Sequence, residues 1–149
     1  MSISNFPSAD SGTSITAVPT PVPDDSQDFQ FWGKHFIASY NKCDFERLTS
    51  PELVVAMREA IEASGASLLS EAVYTFPNAG LTAVFLLSES HASIHTYPEH
   101  ASCFVDLFTC GDRCKWEGFD QVLRKYLIPK NVDARVMVRH EANEDHVAG

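Results

Sequence analysis

The sequence predicts an α+β fold: a two-layer sandwich in which two helices cover one face of an antiparallel sheet. Two observations lead there. Six short segments read as strands and two as helices, in the order β, α, β, β, β, β, α, β. The chain has 149 residues, enough for one compact domain with a real core.

Each element has its own signal. Residues 33–40 read as a first strand with Phe36 and Ile37 at its apolar centre. A helix follows: Ser50 suits its N-cap, Pro51 its first position and Gly65 its stop. Leu53, Met57, Ile61 and Ser64 fall at helical spacing within it. Residues 67–75 and 81–87 read as strands joined by the turn Pro77-Asn78-Ala79-Gly80. Two more strands, 92–96 and 102–108, flank Tyr97-Pro98-Glu99-His100. A second helix begins near Lys115, with Trp116, Phe119, Leu123 and Tyr126 as its apolar stripe and Pro129 beyond its end. Residues 133–138 form the last strand.

The ends read differently. Residues 1–28 hold Pro7, Pro19, Pro21 and Pro23, many Ser and Thr, and an acidic run at 24–28. Such a segment cannot bury enough apolar surface to offset its ordering entropy, so a disordered tail is expected. Residues 141–149 look similar, which leaves 29–140 as the folded domain.

Eleven basic against twenty acidic residues give a net charge of −9. That balance argues against a nucleic-acid partner, which requires a basic face. It is compatible with a cationic small substrate. No apolar run has the length of a membrane span, and the N-terminus lacks the pattern of a secretory signal. Cys43, Cys103, Cys110 and Cys114 follow no disulfide or zinc spacing, so reduced thiols in a cytoplasmic protein are expected.

Reactive side chains are densest between Ser88 and Cys110. Three chemistries compete for them. A metal could use His91, His95, His100 and Cys103, but there is no Cys-x-x-Cys and the His-x-x-x-His is not helical. A hydrolase has its nucleophile, base and acid available, but lacks a Gly-x-Ser-x-Gly elbow. Self-processing needs a Ser on a strained turn, a proton acceptor and donors for an oxyanion. Ser90 lies where a buried strand ends, with His95 five residues on. The residues alone permit this third chemistry without demanding it.

The longer strings narrow the choice. Leu87-Ser-Glu-Ser-His-Ala-Ser-Ile-His-Thr-Tyr-Pro-Glu99 and Phe104-Val-Asp-Leu-Phe-Thr-Cys-Gly-Asp112 closely resemble the short prokaryotic S-adenosylmethionine decarboxylases. Gly33-Lys-His and Cys43-Asp44 resemble that family's first strand and following turn. The resemblance covers residues 32–138.

The resemblance implies a proenzyme that cleaves itself between Glu89 and Ser90, with Ser90 becoming a pyruvoyl group that takes the substrate amine as a Schiff base. It gives His95 a processing role as acceptor of the Ser90 α-proton, and Cys110 the role of proton donor to the product. Thr82 would assist processing, Phe76 would stack on adenine and Glu99 would bind the ribose. It also implies a homodimer of cleaved protomers with active sites near the interface. In place of the glutamate usual near the substrate stands Ser39, which cannot pair with a cation as a carboxylate does. Relatives acting on arginine or ornithine share the scaffold, so they form the alternative. A catalytically silent homologue would be expected to lose Ser90, His95 or Cys110, and all three are present.

Overall fold

The computed structural model describes residues 13–17 and 31–140. The described residues form one seven-stranded antiparallel sheet and three α-helices. Strands β1 (Thr13–Ala17), β2 (Trp32–Asn41), β3 (Leu68–Thr75), β4 (Leu81–Leu87), β5 (Ser90–Tyr97), β6 (Ser102–Cys110) and β7 (Asn131–His140) lie in the order β1-β3-β4-β5-β6-β2-β7. Helices α1 (Phe45–Thr49) and α2 (Glu52–Ser64) follow β2, and α3 (Trp116–Leu127) follows β6.

Alternation along the strands builds the core. On β4, Leu81, Ala83, Phe85 and Leu87 are buried while Val84 and Leu86 are exposed. On β2, Phe36, Ala38 and Tyr40 face inward. These side chains meet Leu53, Met57 and Ile61 of α2 and Phe119, Leu123 and Leu127 of α3 in one cluster. Phe36 stacks on Trp116 at 5.2 Å and meets Phe119 edge-on. Both long helices therefore cover one face of the sheet, as the two-layer reading requires.

Among the described residues, the other face of the sheet is left open. It carries Thr82, Val84 and Leu86 of β4, His91, Ser93 and His95 of β5, Phe104, Asp106 and Phe108 of β6, and His35, Ile37 and Ser39 of β2. No described helix is long and apolar enough to cross a membrane.

Several boundaries differ from expectation. Residues 13–17, placed in a disordered tail by their Ser/Thr-rich surroundings, form a strand that pairs with β3 along Thr13↔Tyr74 to Ala17↔Ser70. Sheet pairing supplies the backbone partners that local composition does not reveal. The rest of 1–28, and 141–149, lie outside the described residues. Helix α2 starts at Glu52, so its N-cap position falls on Pro51, one residue later than expected; Ser50 Oγ still accepts the Glu52 N–H at 3.1 Å. Gly65 ends it at φ +87°, a conformation that favours glycine. The additional helix, α1, is capped by Asp44, whose carboxylate accepts the Arg47 N–H.

Candidate active site

The turn between β4 and β5 is two residues long, Ser88-Glu89, with Leu87 and Ser90 paired across it. Tight hairpins of this length favour glycine-containing pairs such as Asn-Gly because they need positive φ. Neither turn residue is glycine, and the positive φ falls on Ser90, at +154°. A non-glycine residue in that region is strained, at a cost of order 1–3 kcal/mol.

The turn is held on both sides. Ser88 N–H donates to Ser67 O at 3.0 Å, and Ser67 N–H donates to Glu89 Oε2 at 3.0 Å. From the end of β6, Cys110 N–H donates to the Glu89 carbonyl oxygen at 3.0 Å. Cys110 Sγ lies 3.8 Å from Ser90 Oγ. The Glu89–Ser90 bond thus has a strained residue on one side, that residue's hydroxyl beside it and a backbone donor on its carbonyl. That donor is invisible in sequence, because it belongs to main chain brought up by strand pairing. A cleft of about 350 Å³ beside it is lined by Gly33, Phe108, Cys110 and Arg139.

A second group gathers at the other end of β5. Thr82 pairs with His95 across β4 and β5, and Thr82 Oγ1 lies 2.5 Å from His95 Nδ1. Phe76 and Tyr97 pack edge-on to the His95 ring, at 6.1 and 4.6 Å. Phe76, His95, Tyr97 and Glu99 line another cleft of about 350 Å³, a size suited to a small ligand. The Phe76–Gly80 turn shapes its wall: Phe76 N–H donates to Gly80 O and Gly80 N–H to Asn78 Oδ1.

The expected site residues therefore fall into two sets. Glu89, Ser90 and Cys110 sit together, as do Thr82, His95, Phe76 and Glu99. Five residues of one extended strand separate Ser90 from His95, roughly 16 Å at the usual rise, so the two do not touch within a chain. Ser39 lies on the open face between Phe104 and Asp133 of the neighbouring strands.

The residues weighed as a metal set do not converge. Cys103 is fully buried among the core side chains, whereas His91 and His95 point to the open face. Instead, His91 joins a network that the sequence did not reveal. His35 Nε2 lies 2.7 Å from Asp106 Oδ2, and His91 Nε2 lies 3.8 Å from the same oxygen. Ser93 Oγ donates to the other oxygen, Oδ1. The four cysteines are free thiols. Burial pushes Cys114 up to about 11, while Cys103 is held well above its ordinary value by hydrogen bonding with Cys43 and by burial.

Comparison with known proteins gives the family. A family profile described as S-adenosylmethionine decarboxylase matches residues 34–140. An S-adenosylmethionine decarboxylase proenzyme of Thermotoga maritima is 38% identical over 111 residues, spanning 73% of this chain and 82% of that protein. One from Pyrobaculum arsenaticum is 39% identical over 104 residues, spanning 68% of this chain and 82% of that protein. The crystal structure of the adenosylmethionine decarboxylase from Aquifex aeolicus matches with a TM-score of 0.69 at 31% identity, covering 77% of this chain and 96% of that one. With a profile running from within β2 to the end of β7, and relatives matched over 82% of their own length, the chain belongs to the S-adenosylmethionine decarboxylase family.

Proposed function

We infer that this chain is a proenzyme that cleaves itself at Glu89–Ser90 and then decarboxylates S-adenosylmethionine, using a pyruvoyl group made from Ser90. The observation that carries the reading is the strained Ser90, at φ +154°, next to a carbonyl already held by the Cys110 N–H.

Processing follows from those groups. Ser90 Oγ attacks the Glu89 carbonyl carbon; the amide C–N bond breaks and an ester forms, leaving a free Ser90 amine. The negative charge developing on the Glu89 oxygen is met by the Cys110 N–H. Loss of the Ser90 α-proton to a base expels the Glu89 carboxylate and leaves dehydroalanine. Water then replaces the nitrogen, which departs as ammonia, and residues 90–149 begin with a pyruvoyl group. The residues present fit this group: a serine at the strained position, and a thiol 3.8 Å from its hydroxyl.

Once formed, the group supplies an electron sink for the bond that releases CO₂. The chain supplies the rest. The Cys110 thiol delivers a proton to the product carbon, a contribution of roughly 10²–10⁴-fold. Phe76 offers an aromatic face for the adenine, and Glu99 a carboxylate for the ribose hydroxyls. The product is an aminopropyl donor for spermidine synthesis. Four free thiols are in keeping with a reducing cytoplasm.

The base for the Ser90 α-proton is His95 of the partner subunit in a homodimer. Two features support this. His95 cannot reach Ser90 of its own chain, because both lie on one strand. The open face also exposes Ile37, Val84, Leu86 and Phe104, each at 45–55% of its full area, an apolar patch that a second sheet would cover.

The test is intact mass followed by assay. The purified protein should give two chains, 1–89 and a pyruvoyl-blocked 90–149, and should release CO₂ from S-adenosylmethionine. A single uncleaved 16.5 kDa chain under all conditions would overturn the reading. Release from arginine or ornithine alone would reassign the substrate.

A further inference from the structure

We propose that His35, His91 and Asp106 form a binding site for a divalent first-row transition metal such as zinc or cobalt, on the open face of the sheet. The three residues come from β2, β5 and β6, and each offers one ligand atom; these atoms all lie within 4.8 Å of one another. Two imidazole nitrogens and one carboxylate oxygen make a donor set that suits such metals and leaves positions for water.

The geometry exceeds what a hydrogen-bonded pair needs. One contact, His35 Nε2 to Asp106 Oδ2 at 2.7 Å, satisfies that oxygen. Yet His91 Nε2 also lies near the same oxygen, at 3.8 Å, too far for a hydrogen bond. Two ligands of one tetrahedral ion stand about 3.3 Å apart, from bond lengths near 2.0 Å. The 2.7 and 3.8 Å separations bracket that spacing and the third is no longer than 4.8 Å, so side-chain rotations that draw the two imidazoles together open a site among the three.

The surroundings favour the same outcome. Ser93 donates to Asp106 Oδ1 and leaves Oδ2 for the ion, the supporting hydrogen bond that ligating carboxylates commonly have. The Phe108 ring lies 5.4 Å from the His35 ring and 5.6 Å from the His91 ring, which fixes both imidazoles on one side. Among the described residues, the ion-pair partners of Asp106 are these two histidines, with no lysine or arginine in the place a cation would take. The strands are adjacent in register, His91↔Phe108 and His35↔Phe108, so the sheet itself presets the spacing. All three ligands belong to one chain, so the donor set needs no residue from the partner and no cleavage; in the proposed homodimer it lies between the two facing sheets.

The probe is Co²⁺ added to the chelator-treated, full-length protein and followed by visible absorption, with Zn²⁺ as competitor in calorimetry. One Co²⁺ per chain should bind, with ligand-field bands and no thiolate charge-transfer band, and Zn²⁺ should displace it. His91→Gln should weaken binding by about tenfold or more, and Ser93→Ala by a smaller factor, while metal-free His91→Gln keeps the parent's circular dichroism spectrum. Absence of saturable binding overturns the site. So does a thiolate charge-transfer band, which would move the ion to a cysteine, or binding unchanged by His91→Gln.

Discussion

The backbone N–H of Cys110 donates to the carbonyl oxygen of Glu89 at 3.0 Å, while the Cys110 side chain sits 3.8 Å from the Ser90 hydroxyl. One residue thus faces the scissile bond twice, through main chain and through side chain. In the proposed mechanism the two faces serve different reactions: the N–H steadies the oxyanion of processing, and the thiol protonates the product of turnover.

Cys110→Ser separates them. The backbone donor survives the substitution, so the chain should still split into 1–89 and 90–149. A hydroxyl is a far weaker acid than a thiol, so CO₂ release should fall by roughly 10²-fold or more. Mass analysis and a turnover assay on the same sample check both halves. An uncleaved Cys110→Ser chain would mean that the thiol itself takes part in processing. Ser90→Ala, which has no nucleophile, should stay whole.

The thiols should differ in reactivity and in their effect on stability. Cys43, Cys103 and Cys114 are buried, and Cys110 is partly exposed, so iodoacetamide at about pH 8 should label Cys110 first. Burial, reinforced by the nearby Glu89 charge, raises Cys114 from 9.0 to about 11. Its neutral form is thus favoured in the folded state. Stability from this group is complete below 9.0 and is lost as pH climbs towards 11, because the unfolded thiol ionises first. Melting temperature should decline across that window, and Cys114→Ala should shallow the decline.

How much of this was legible in the sequence depends on the range of the interaction. Strand β4 was legible to the residue, because Pro77–Gly80 bounds one end and its apolar run fits a strand. The stop of α2 at Gly65 was equally plain. Helix α1 has five residues, too few to show a period, and β1 takes its order from β3 rather than from itself. The reactive string 87–99 marked the site, but a string gives no direction in space: five residues of extended chain put Ser90 and His95 at opposite ends of one strand. The His35–Asp106 contact joins residues 71 apart, and only the pairing of β2 with β6 brings them together.

Gly118 of α3 packs tightly against the backbone of α2. A Cβ added there would lie 2.4 Å from the Ala63 carbonyl oxygen, in the backbone of α2. Alanine gains about 1 kcal/mol of helix propensity over glycine. Overpacking against rigid main chain costs about 1–3 kcal/mol, and here neither partner can rotate away. Gly118→Ala should therefore lower stability by about 1 kcal/mol net, despite the better helix former. Urea denaturation measures it; a stabilised variant would show that α2 and α3 can move apart freely.

The division of site residues between the two ends of β5 makes a sharp prediction about assembly. If His95 of the partner subunit serves each Ser90, neither Ser90→Ala nor His95→Ala should process alone: the first lacks the nucleophile, the second the base. A mixed dimer contains one restored site, where Ser90 of the His95→Ala chain meets His95 of the Ser90→Ala chain. Its other site lacks both groups. Co-expression of the two variants, distinguished by tags of different mass, should then give cleavage of the His95→Ala chain only, in about the proportion of mixed dimers. Cleavage of that chain when it is expressed by itself would remove His95 from the processing step. No cleavage in a verified mixed dimer would mean that each chain assembles its site from its own residues. The open face decides between these outcomes as well. Val84→Lys and Leu86→Lys place charges on exposed positions of the apolar patch, where they leave the fold intact but disfavour a covering sheet. If two chains complete each site, these variants should run as monomers on sizing columns and stay uncleaved, although every residue of the processing chemistry is still present.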